Sequence, residues 1–120
     1  MPEIKDKKHG KTLFYIDGNE IKDKKHRTTL FYIDGSEVKE KSKYGTVKFY
    51  IDGNEIKEKS KYGNVRYYID SSEVKEKSKY GSLRYFIDGS EIKDKKHGSV
   101  KYYIDGALTR DQMSGFLSII

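Results

Sequence analysis

The chain has 120 residues, no cysteine, no tryptophan and a formal charge of +6, from 25 Lys and Arg against 19 Asp and Glu. That length bounds it to one domain, and without Cys there is no disulfide framework, thiolate zinc site or thiol nucleophile. Charged residues at 37% and hydrophobic residues at 34% leave a thin core, but 13% aromatics set the chain apart from disordered sequences.

One unit, typified by GTVKFYIDGNEIKEKSKY from Gly45 to Tyr62, recurs almost throughout. Glu3, Glu20, Glu37, Glu55, Glu73 and Glu91 each open a copy, at steps of 17, 17, 18, 18 and 18 residues. In each unit, Asp-Gly-Asn-Glu or Asp-Gly-Ser-Glu separates two β-like runs. Gly at the turn supplies positive φ without a Cβ penalty, which predicts a two-residue hairpin loop. On that register Asp52 faces Glu55 and Ile51 faces Ile56. Period-two alternation then directs Val47, Phe49, Ile51 and Ile56 to one face. Lys48, Tyr50, Asp52, Glu55, Lys57 and Lys59 fall on the other. No 3.6-residue stripe competes with this reading.

Residues 1–36 hold two atypical repeats, in which Leu13 and Leu30 take the place of the later Lys48, Arg66, Arg84 and Lys101. The outward face at this end is therefore more apolar, either as a docking spot or as drift among duplicated units. Residues 37–106 are regular, except that Ser71 replaces the turn Gly and should weaken its hairpin. Repeats one, two and six carry KDKKH, and the middle three the longer KEKSKY. Residues 107–120 change character. Thr109 and Gln112 form a capping-box pattern, and Met113, Phe116, Leu117 and Ile120 share one helical face. This predicts an amphipathic helix capping the array, with Gly115 as a soft spot.

The predicted fold is an all-β antiparallel meander of about twelve short strands over 1–106, with a C-terminal capping helix over 107–120. A flat sheet of that size would be on the order of 50 Å wide, and a helix about 15 Å long cannot cover it. The sheet must therefore curl on itself or pair with a second copy as a homo-oligomer. A solenoid would pile like charges on one another and is disfavoured.

The candidate binding surface is the basic, aromatic face: Lys48, Tyr50, Lys57, Lys59, Arg66, Tyr68, Lys75, Lys77, Arg84, Lys101 and Tyr103, with Phe86 among them. Cations interleaved with rings suit a flexible polyanion, neutralising phosphates while Tyr stacks on bases. Anionic lipid would be drawn by the same field. The bland counterpart is that Lys keeps exposed strands soluble and discourages edge pairing. His9, His26 and His97 occupy equivalent loops, so a three-His metal site is conceivable in a closed ring, but duplication alone produces that equivalence and no metal is expected. The turn Asp residues flank tight turns, where Asp is favoured. No catalytic triad pattern, phosphate loop or H-E-x-x-H appears. A repeat also spreads its residues evenly where catalysis needs unlike groups to converge, so neither an enzyme nor a cofactor is expected.

The aromatic pair Phe49-Tyr50 between Gly45 and Gly53 resembles the MORN repeat family in its looser bacterial form. The same pattern recurs at Tyr67-Tyr68, Tyr85-Phe86 and Tyr102-Tyr103. The resemblance implies a β-hairpin array serving as a scaffold, a protein-binding surface or a lipid-associated module. The period is shorter than that family's, and there is no Tyr-Glu-Gly-type opening. The YYID string at Tyr102 to Asp105 also looks like choline- and glucan-binding cell-wall repeats, although those rely on Trp. MPEIKDKKHG lacks the apolar core of a signal peptide, and no run has the length of a membrane span, so the expected location is cytoplasmic. The functional expectation is a non-enzymatic scaffold or binding module with a protein or polyanionic partner. The alternatives are a self-associating structural protein (phage, mobile-element or engineered) and an aromatic-cluster carbohydrate or choline binder.

Overall fold

The computed structural model describes residues 1–120. The first six strands are β1 (Glu3–Lys5), β2 (Thr12–Asp17), β3 (Glu20–Asp23), β4 (Thr29–Asp34), β5 (Glu37–Glu40) and β6 (Val47–Asp52). They continue as β7 (Glu55–Glu58), β8 (Val65–Asp70), β9 (Glu73–Glu76), β10 (Leu83–Asp88), β11 (Glu91–Lys93) and β12 (Val100–Asp105), followed by the helix α1 (Arg110–Ile119). Every strand pairs antiparallel with its sequence neighbours, and β1 pairs with β12, closing a barrel. The principal extents of the molecule are 38 × 37 × 18 Å.

The hairpins form on the expected register, Ile51 opposite Ile56 and Asp52 opposite Glu55. Gly18, Gly35, Gly53 and Gly89 hold φ near +60° at the first central turn position, as a II′ turn requires. Ser71 takes that conformation at φ 57° without the freedom of Gly.

Closure reuses the same hairpin without a covalent turn. Glu3 lies opposite Asp105 and Ile4 opposite Ile104, as Glu91 lies opposite Asp88 and Ile92 opposite Ile87. Pro2 stands in for the second turn residue: its carbonyl accepts from Ile16 N–H at 2.9 Å, as that of Asn19 does from Ile33 N–H at 2.7 Å. β1 is thus the return strand of the sixth hairpin, supplied from the other end of the array.

One feature of the register departs from simple alternation. Where each odd strand meets the next even one, a β-bulge inserts an extra residue. Val38 lies opposite Phe49 but Lys39 lies opposite Val47, so Lys48 is the unpaired residue. Phe49 and Ile51 face the lumen as expected, but Val47 is turned outward, opposite a belt lysine. Thr12 and Thr29, at the same repeat position, hydrogen-bond the outward Glu3 and Glu20 at 2.6 and 2.9 Å. A bulge re-aims the side chain it carries, and here it swings the Lys48 position towards the barrel mouth.

The lumen is the core. Ile4, Ile21, Val38, Ile56, Val74 and Ile92, one from each repeat, are all completely buried. The apolar sheet face that suggested a second copy is therefore the inner wall of the ring. α1 runs within that wall and caps no end strand, because closure leaves none. Ser114, Gly115, Phe116, Leu117 and Ser118 are buried in succession, so the second half of the helix is surrounded by the barrel wall. The capping box is formed in both directions, Thr109 N–H to Gln112 at 2.9 Å and Gln112 N–H to Thr109 at 3.1 Å. Gln112 also donates to the Gly18 carbonyl at 2.9 Å, anchoring the helix N-terminus at the hairpin-turn end.

Candidate functional site

The predicted basic face divides into three separate places. On the outer belt, Tyr50 sits between Glu37 and Lys57 of the flanking strands, and Tyr68 between Glu55 and Lys75. Phe86 and Tyr103 repeat the arrangement. The belt lysines are not free. Lys57 reaches Asp52 at 3.0 Å and Glu55 at 3.7 Å, and Lys75 reaches Asp70 at 3.4 Å and Glu73 at 3.5 Å. Hydrogen bonding to Asp52 holds the Lys57 pKa above its usual value. Partial burial opposes the charge on Lys75, but Asp70 and Glu73 outweigh it and the shift is also upward. Each belt cation is thus balanced by its own hairpin, so this belt offers no unpaired positive charge.

The bulge cations occupy the mouth at the helix C-terminus. Lys48 pairs with Glu40 at 2.9 Å. The Arg66 guanidinium lies 5.5 Å from the ring centre of Phe49 and 4.9 Å from that of Tyr67. It also donates to the Ile120 carbonyl at 3.4 Å, beside the Tyr67 hydroxyl at 3.0 Å. Arg84 and Lys101 border a cavity of about 450 Å³ with Leu13, Tyr85, Asp94 and Tyr102. A smaller one of about 300 Å³ lies between Arg66, Glu58 and Glu76. Behind the mouth, Tyr67, Tyr85, Tyr102 and Phe116 contact edge to face, with ring centres 5.4 to 6.5 Å apart. In this mouth Arg66 holds the helix end and Lys48 balances Glu40. The mouth cations do not extend the outer belt, as simple alternation had placed them.

The third place is the crown of six loops joining odd strands to even ones. Lys59 and Lys77 belong here, beyond the ends of β7 and β9, with φ of 68°. The longer loops carry Lys41 and Lys43, Lys59 and Lys61, and Lys77 and Lys79; the shorter loops carry Lys7, Lys8 and Lys11, Lys24 and Lys25, and Lys95 and Lys96. All thirteen are exposed, and none takes part in an ion pair. Tyr44, Tyr62 and Tyr80 project from the three longer loops, each 91% exposed. Repeats three, four and five are adjacent, so the tyrosines form one arc, while His97, His9 and His26 form the other. These histidines do not converge: no group of three His, Asp or Glu residues could hold a metal ion.

Against known proteins the chain stands apart. No family model matches it, nor does any curated protein or solved structure. The likeness to MORN repeats rests on its aromatic pairs and turn glycines alone.

Sequence reasoning set Lys41, Lys43, Lys59, Lys61, Lys77 and Lys79 along extended strands, where the structure has loops, and did not single out the shorter-loop lysines or the three bare tyrosines for binding. The signal was present: K-S-K-Y-G follows the last β-like pair, and Ser-Lys-Tyr-Gly suits a turn better than a strand.

Proposed function

We propose that this chain is a non-enzymatic binding module whose loop crown engages a polyanion. One observation carries the reading: thirteen exposed, unpaired lysines share one end of the barrel with three tyrosines whose rings are almost bare. Clustered cations release counterions from a polyanion, and an aromatic ring with both faces open is a platform for an unpaired base. Single-stranded nucleic acid uses both properties. Tyr44, Tyr62 and Tyr80 have no structural task that would explain their exposure, since each ring lies outside the core.

The test is fluorescence anisotropy with labelled oligothymidylate over a series of salt concentrations. The reading expects a steep negative salt dependence, and an affinity that falls when the three crown tyrosines are replaced with Ser while the salt slope is kept. Affinity independent of salt, or none at low salt, rules it out.

A further inference from the structure

The helix does not sit centrally in its ring. Gly115 decides which wall the helix meets. A Cβ placed there would lie 2.5 Å from Ile33 Cδ1 and 2.9 Å from Cγ1, so Gly lets α1 press against β4. Phe116 fills the side towards β2 and β12, meeting Phe14 and Tyr102. At 100° per residue, Arg110, Met113 and Leu117 point away from Gly115, and Ser114 lies on the flank opposite Phe116. On that far side, against Ile69 of β8 and Ile87 of β10, a cavity of about 240 Å³ remains.

We propose that this cavity binds a small amphiphilic monocarboxylate. Its inner walls are Ile69, Ile87, Met113 and Leu117, and its outer edge is the turn residues Gly53, Asn54 and Ser71 with Arg110. No carboxylate lines it, and Arg110 is exposed and forms no ion pair. Ser114, 9% exposed, borders the same space, and its hydroxyl, unlike that of Ser118, has no hydrogen-bond partner within the protein. An apolar cavity of about 150 Å³ holds benzene, so this larger one suits a ligand of about eight to ten heavy atoms. The acyl chain lies between α1 and β8–β10, and the carboxylate meets the Arg110 guanidinium at the opening. The cavity lies at the hairpin-turn end, opposite the crown, and does not depend on how the crown is used.

The experiment is titration of the full chain with octanoate, followed by amide chemical shifts and calorimetry, with octan-1-ol as the neutral probe. Saturable octanoate binding is expected in the submillimolar range, with the largest shifts at Ser71, Met113, Ser114 and Leu117. Arg110→Gln should weaken octanoate about tenfold and octan-1-ol less than twofold, while Ser114→Leu fills the space and abolishes both. Absence of saturable binding overturns the proposal. So does equal loss of both probes in Arg110→Gln, or binding that survives Ser114→Leu in a folded protein.

Discussion

Lys5 reaches Asp105 at 2.9 Å, forming in the closing hairpin the ion pair that Lys93 and Asp88 form within a covalent one. Two segments a hundred residues apart thus meet as one repeat. Replacing the facing Glu3 and Asp105 by Cys and oxidising the pair should covalently fasten the ring. A loop of that length confines the unfolded chain strongly, so stabilisation of about 2–4 kcal/mol is expected. Denaturant unfolding of the oxidised and reduced forms measures it. A failure to cross-link, or equal stability of the two forms, would contradict the β1–β12 closure.

Ser71 bears left-handed backbone strain that its four glycine counterparts do not. Ser71→Gly should therefore stabilise the protein by about 1 kcal/mol. Gly53→Ser, the reverse change one repeat earlier, should cost a similar amount. Equal stability of all three proteins by chemical denaturation would show that the turn type has been misread.

Gly115→Ala poses two opposed effects in one substitution. Helix propensity favours Ala by about 1 kcal/mol, whereas crowding against Ile33 costs about 1–3 kcal/mol. The close approach to Ile33 decides the sign, and a net loss of about 1 kcal/mol is expected. Ile33→Val removes the atom nearest the new methyl group. In a double-mutant cycle it should cost about 1 kcal/mol alone and much less in the Gly115→Ala background. Additive effects would place the helix elsewhere in the lumen.

The belt ion pairs make a small, solvent-screened contribution to stability whose pH window follows from their pKa shifts. Hydrogen bonds from Lys22 and Lys39 hold Asp17 and Asp34 below the usual carboxylate pKa. Their contribution is therefore complete above the unfolded value, about 4, and fades as pH falls through the lower folded value. Lys5, Lys22 and Lys39 are shifted upward by their hydrogen bonds to Asp105, Asp17 and Asp34. That contribution is complete below about pH 10.4 and fades as pH rises through the higher folded value. Thermal melts should show a plateau between these limits and a decline at each end. A stability transition centred near neutrality would contradict this account.

Much of the fold was legible because each repeat states its own rule. Phe49 and Ile51 alternate with Tyr50, Gly53 marks the turn, and Thr109 with Gln112 marks the helix start. The bulge was not legible, because a period-two pattern reads through an inserted residue as though pairing continued. That single slip put Lys48, Arg66, Arg84 and Lys101 on the belt with Tyr50 when they belong to the mouth. Leu13 and Leu30 were the clue, since Leu fits a mouth around Ile120 better than an outer face. The alternating Lys of KSK suggested a longer strand, but positive φ at Lys41, Lys59 and Lys77 turns the chain outward there. Closure was one of two solutions to covering the apolar face, and the 1–106 pattern does not distinguish a ring from a pair of sheets.

The most direct test of the crown is to compare two charge-removal variants in oligothymidylate binding. One replaces Lys41, Lys43, Lys59, Lys61, Lys77 and Lys79 by Gln; the other replaces the belt lysines Lys57 and Lys75. The crown variant should lose most of its affinity and its salt slope should flatten by several units, while the belt variant should bind like the wild type. Undiminished binding by the crown variant, with loss in the belt variant, would return the site to the outer sheet face.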